Sequence, residues 1–115
     1  MLGLNDSFCY YLYPRYINMG SGIETLSELI RSTSGGSPLR GDVYLFCGKK
    51  RDTIKLLRWD GDGFILYQKR LEQGTFEIPR FKPHEGWNKL EWKTFMMIMS
   101  GISLASVKYR KRFKL

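Results

Sequence analysis

Two runs, Thr53 to Trp59 and Phe64 to Leu71, flank the tetrapeptide Asp60-Gly61-Asp62-Gly63. Glycine and aspartate tolerate the positive φ angles of tight primed turns, so this stretch predicts an antiparallel hairpin. The hairpin is apolar on both faces. Leu57 and Trp59 share one face with Lys55, while Ile54 and Leu56 occupy the other. Such a ribbon needs cover on each side, from the helices on one and from a partner on the other.

The flanking sequence supplies more of the same sheet. Asp42 to Cys47 is a β-branched and aromatic run that ends at Gly48-Lys49-Lys50-Arg51-Asp52. Phe8 to Tyr13 reads as a strand stopped by Pro14, and Thr75 to Ile78 as a third short strand of the meander, stopped by Pro79. Ser21-Gly22-Ile23-Glu24 has the S-x-x-E spacing of a capping box, and Ile23, Leu26 and Ile30 follow at helical spacing. Ser34-Gly35-Gly36 and Pro38 close that helix. Arg80 to Trp87 is a polar connection. Asn88 or Glu91 is placed to cap a second helix through Trp92, Phe95, Met96 and Met99, with Gly101 at its end. The expected architecture is α+β: one small domain over residues 1–106, with an antiparallel hairpin meander and two main helices, then a basic tail over 107–115.

Composition narrows the class. The chain has 115 residues, 43% hydrophobic and 15% aromatic, enough for a core and far from the make-up of a disordered chain. Phe95 to Met99 is too short for a membrane span, and the start lacks the basic-then-apolar pattern of an export signal. A reducing cytoplasm is therefore expected, with Cys9 and Cys47 as buried thiols. Charge is uneven: the net is zero over residues 1–40, +2 over 41–80 and +6 over 81–115. A positive field gathered in one third of a small domain favours a polyanionic partner.

Chemistry-bearing patterns are sparse. His84 lies in a polar loop between Pro83 and Glu85, and it has no adjacent nucleophile. One histidine and two cysteines without C-x-x-C spacing do not make a zinc site. Asp60 and Asp62 fail the calcium-loop pattern at Phe64, Ile65 and Leu71, and turn formation accounts for both. Gly20-Ser21-Gly22 and Gly48-Lys49-Lys50-Arg51 lack the spacing of phosphate-binding loops and read as turns. No enzyme, metal or cofactor is expected.

The basic residues remain. Lys49, Lys50 and Arg51 project from a hairpin tip, and Lys69 and Arg70 close the next strand. In the tail, Lys108, Arg110, Lys111, Arg112 and Lys114 interleave with Tyr109 and Phe113. Cations neutralise phosphates and aromatic rings stack on bases, a pattern that suits DNA or RNA. The plainer alternative is a hairpin tip that faces water and a tail that solubilises.

The string Gly41-Asp42-Val43-Tyr44-Leu45-Phe46, Lys49-Lys50-Arg51-Asp52, Ile54-Lys55-Leu56-Leu57 and Trp59-Asp60-Gly61-Asp62-Gly63-Phe64 closely resembles the Orf2-like accessory protein, often called TnpB, of bacterial insertion sequences of the sixty-six family. The likeness continues through Leu66 to Phe76, reaches upstream to Asn18-Met19 and Gly22-Ile23, and downstream to Met99-Ser100-Gly101-Ile102. It implies a non-catalytic auxiliary protein encoded beside a separate transposase, with no catalytic residues to carry over. Two departures stand out. Gly20-Ser21 occupy the place of a common Arg-Lys pair, and Asn18 that of the usual Asp.

The leading expectation is therefore a transposition accessory factor that contacts element DNA, the transposase, or both. The rival is a protein-interaction module in which Trp59, Phe64 and Tyr67 anchor on the transposase or on a second copy. A metal-dependent nuclease subunit is a distant third.

Overall fold

The computed structural model describes residues 3–101. Five strands form one sheet: β1 (Tyr10–Ile17), β2 (Val43–Gly48), β3 (Thr53–Trp59), β4 (Phe64–Arg70) and β5 (Asn88–Leu90), in the order β4-β3-β2-β1-β5. Helix α1 (Ile23–Thr33) lies between β1 and β2, and α2 (Trp92–Ser100) follows β5. The α+β expectation holds. Three of the four strand pairings are antiparallel, and the β1–β2 pair is parallel, which makes the sheet mixed. The difference lies in the connection. A parallel neighbour demands a crossover, and the chain from residue 18 to 42, carrying α1, is long enough to provide one.

The helices sit on opposite faces, so the hairpin's two apolar sides are both covered by this chain. On one side α1 brings Leu26 and Ile30 onto Tyr13, Ile17, Tyr44, Phe46 and Leu57. On the other, α2 brings Phe95, Ile98 and Met99 onto Tyr10, Leu12, Val43, Leu45, Cys47, Ile54 and Leu56. This explains β2, whose six residues are all buried: a central strand between two covered faces has no solvent side. The β3–β4 hairpin matches expectation, with Trp59 opposite Phe64, the Asp60 amide donating to the Gly63 carbonyl at 2.8 Å, and Gly61 at φ +85°.

Three local expectations are corrected. The first strand does not stop at Pro14 but runs on to Ile17. Pro14 is buried where the β1–β2 register shifts, between Leu12 and Tyr16, and β5 pairs only with Tyr10 to Leu12. A residue without an amide proton is tolerated where the ladder is already interrupted. Thr75 to Ile78 is not a strand. Its anchor is Phe76, 1% exposed, whose amide donates to the Arg51 carbonyl at 2.6 Å. The N-cap of α1 is Gly22 rather than Ser21, and no side chain caps it. Asn88 belongs to β5 and Glu91 is the N-cap of α2, which ends at Gly101 in the left-handed conformation, φ +75°. The boundary at residue 106 and the tail lie outside the described residues. Among the described residues, no helix is long and apolar enough to cross a membrane.

A candidate nucleic-acid interface at one end of the sheet

The β2–β3 connection, residues 49–52, forms a basic tip. The Arg51 amide donates to the Gly48 carbonyl at 2.8 Å to close the turn. Arg51 is the one non-glycine at positive φ among the described residues, at +60°. That region disfavours a side chain by roughly 1–2 kcal/mol. The following chain ties the tip down: the Leu71 amide donates to the Asp52 carbonyl at 2.8 Å, and Phe76 holds Arg51 as above. Arg70 is paired with Thr53 and so stands at the same end. Lys49, Lys50, Arg51 and Arg70 are all exposed, and none has an ion pair or side-chain hydrogen bond among the described residues.

The loop before α1 abuts this end. Ile17 is opposite Gly48, and a methyl group on Gly48 would sit 2.9 Å from Met19 Cε, so Met19 rests on bare backbone. Asn18 Oδ1 accepts from the Gly20 amide at 2.7 Å, an Asx turn that an Asp would form equally well. Lys55 locks the loop from below. Only 5% exposed, its Nζ donates to the Met19 carbonyl at 2.7 Å and the Ser21 carbonyl at 2.6 Å. The Gly20-Ser21 departure thus falls beside the basic tip. Lys55 is the residue that sequence reasoning passed over, and its signal was a cation in mid-strand between Ile54 and Leu56.

The other predicted positions separate. Lys69 does not join Arg70: strand alternation points it to the α2 face, where Nζ donates to the Met99 carbonyl at 2.8 Å. A cation at a helix C-terminus meets the negative end of the helix dipole. Trp59 and Phe64 form an edge-to-face pair with centroids 5.0 Å apart, at the far end of the hairpin from the tip. Tyr67 is half-buried against the α2-side core. Lys108, Arg110, Lys111, Arg112 and Lys114 lie outside the described residues.

Asp60 Oδ1 pairs with Arg58 Nη1 at 3.1 Å within the turn region. His84 is exposed, 3.8 Å from Glu85. Both cysteines are free thiols. Cys47 is buried and Cys9 half-buried, and burial pushes the Cys47 thiol up to about 11, away from the reactive thiolate. Among the described residues no three His, Cys, Asp or Glu cluster as metal ligands.

Comparison with known proteins places this arrangement. The family model described as "IS66 Orf2 like protein" matches residues 9–109. The chain belongs to the IS66 Orf2-like family. It is 30% identical over 108 residues to the uncharacterized protein y4jC of Sinorhizobium fredii, covering 94% of this chain and 91% of that one. It is also 30% identical over 79 residues to the uncharacterized protein y4hO of the same organism, covering 69% of each. No solved structure matches it. Membership in the IS66 Orf2-like family associates the chain with transposition of an insertion sequence in an accessory role, and the family is not one of known enzymes.

Proposed function

We propose that this chain is a non-catalytic accessory factor that binds the phosphate backbone of element DNA and works beside the transposase in the cytoplasm. The contacting groups are Lys49, Lys50, Arg51 and Arg70, joined by the tail cations Lys108, Arg110, Lys111, Arg112 and Lys114. The observation that carries the reading is the convergence of four exposed cations, none ion-paired among the described residues, on one end of the sheet. The left-handed Arg51 adds to it. Backbone strain of this kind gathers at functional sites, and an arginine kept where glycine would be easier suggests a use for the guanidinium.

Four phosphate contacts predict a log–log salt slope of roughly −3.6 on duplex DNA, steeper with the tail engaged. The test is fluorescence anisotropy across a salt titration, with element-end duplex and a scrambled duplex of equal length. Reversing charge at Lys49, Lys50 and Arg51 is expected to reduce binding more than Asp60→Asn with Asp62→Asn. The opposite ranking, or no binding at low salt, overturns the placement.

A second reading draws on the outer edge of β4, which no strand covers among the described residues. Ile65, 43% exposed on this strand, lines a cleft of about 260 Å³ with Leu4, Val43, Leu56, Arg58 and Tyr67. An edge of this kind, with the Trp59–Phe64 pair at its start, suits docking on the transposase. Salt-insensitive association with transposase, lost on Ile65→Lys, would favour it.

A further inference from the structure

Beyond the tip, a second basic surface lies across the sheet. We propose that the cleft between the outer side of β1 and residues 79–89 binds one unpaired nucleotide of a single-stranded polynucleotide. The cleft arises because β5 covers β1 only as far as Leu12. Past that point Pro14 offers no amide proton for another strand, and the chain from Pro79 onward stands off to leave a cavity of about 420 Å³.

Its walls carry the chemistry of both halves of a nucleotide. Arg80, Lys82 and Lys89 line it. All three are exposed and have no ion pair or side-chain hydrogen bond among the described residues. The carboxylate opposing them is Glu85, which faces His84 at 3.8 Å. Three cations against one acid select an anion. The aromatic side is Phe81, and just outside the lining Tyr16, 43% exposed, meets it edge-on at 4.7 Å. Trp87 forms a rigid wall, its Nε1 donating to Thr33 Oγ1 at 2.9 Å and its ring packed on Tyr13 at 5.0 Å. Gly86, at φ +74° with open space where a side chain would be, keeps the mouth clear.

Cations alone would serve an acidic peptide equally well. The aromatic pair beside them, half-buried Phe81 and exposed Tyr16, favours a base, which offers a π-face for stacking. Duplex DNA keeps its bases stacked inside the helix, so the occupant is a frayed end, a flipped base or a single strand. This proposal does not depend on the tip reading, which concerns duplex backbone and different residues.

The test uses the full chain with a labelled octadeoxyuridylate and the matching octauridylate, read by anisotropy, together with quenching of tryptophan fluorescence. Arg80→Ala with Lys82→Ala is expected to flatten the salt slope by about 1.4, the share of two single-strand phosphate contacts. Tyr16→Ala is expected to weaken binding at least fivefold, the low end for one lost stacking partner. Trp87→Phe is expected to remove most of the quenching, which assigns the signal to the cleft wall. Charge reversal at the tip is expected to spare the quenching. Binding of either oligonucleotide by these residues supports the site, and the tighter one names the sugar. Cleft variants that bind like the parent chain would overturn the proposal. So would polyglutamate displacing the probe as well as an unlabelled oligonucleotide does, which would mark an acidic-protein surface. Each variant's circular dichroism spectrum separates loss of binding from loss of fold.

Discussion

Lys55→Met removes an ammonium from the α1-side core while keeping most of its alkyl stem, so apolar burial is nearly unchanged. What is lost is the pair of hydrogen bonds to the Met19 and Ser21 carbonyls, at 2.7 and 2.6 Å. Hydrogen bonds to a charged group contribute about 1.5–3 kcal/mol each, or roughly 3–6 kcal/mol for two. Two effects offset part of that. The variant no longer desolvates a charge, and Met19 and Ser21 are half-buried residues whose carbonyls water can partly reach. The expected net loss is about 2–3 kcal/mol. For a domain of this size that is a fall in Tm of roughly 8–12 °C, read by circular dichroism, with a matching fall in the urea midpoint at unchanged m. Because the locked loop packs on Gly48 beside the basic tip, weaker duplex binding is expected even at temperatures where the variant is folded. A Tm equal to or above that of the parent chain would refute the reasoning. It would mean that burying the ammonium costs as much as its two bonds return.

Arg51→Gly relieves the left-handed strain at φ +60° and removes a proposed phosphate contact. Stability is expected to hold or rise by up to about 1 kcal/mol while the duplex salt slope flattens by about 0.9, which separates function from folding in one variant. Burial raises the Cys47 thiol from 9.0 to about 11 and the Tyr10 and Tyr44 hydroxyls from 10.0 to about 12. The folded chain therefore holds these protons longer than the unfolded one, so stability is complete below the unfolded values and declines as pH rises through the folded ones. Urea midpoints are expected to drop between about pH 9 and about pH 12, and a flat profile there would contradict the assignment. With a thiol reagent near neutral pH, Cys9 is expected to react first, and Cys47 only at the rate of unfolding.

The strong local signals in the sequence were the ones that needed no distant partner. Asp60-Gly61-Asp62-Gly63 specifies a hairpin because its residues tolerate the turn's φ angles, and Trp59 and Phe64 meet across it. The stripe of Phe95 and Met99 with Gly101 behind it specifies α2 because period and stop signal agree. The basic tip was legible because Gly48 and Asp52 bracket three consecutive cations between two strand-like runs. In each case the information lies within a few residues.

Tertiary structure decided what depends on contacts between remote parts of the chain. The hydrophobic pattern of β1 suits a parallel and an antiparallel neighbour alike, and only the path of the α1 crossover selects β2 as parallel. Pro14 ends a strand by local rules, yet here it rides a register shift that a packed core holds in place. Lys69 and Arg70 look equivalent as a pair. The α2 helix on one face takes Lys69 for its terminal carbonyl and leaves Arg70 to the tip. Lys55 finds its partners 36 and 34 residues away, in a loop whose sequence does not announce them. Alternation along a strand can be read from the residues. Which face a helix will cover is settled by packing, because only the assembled layers determine where a buried cation finds its acceptor.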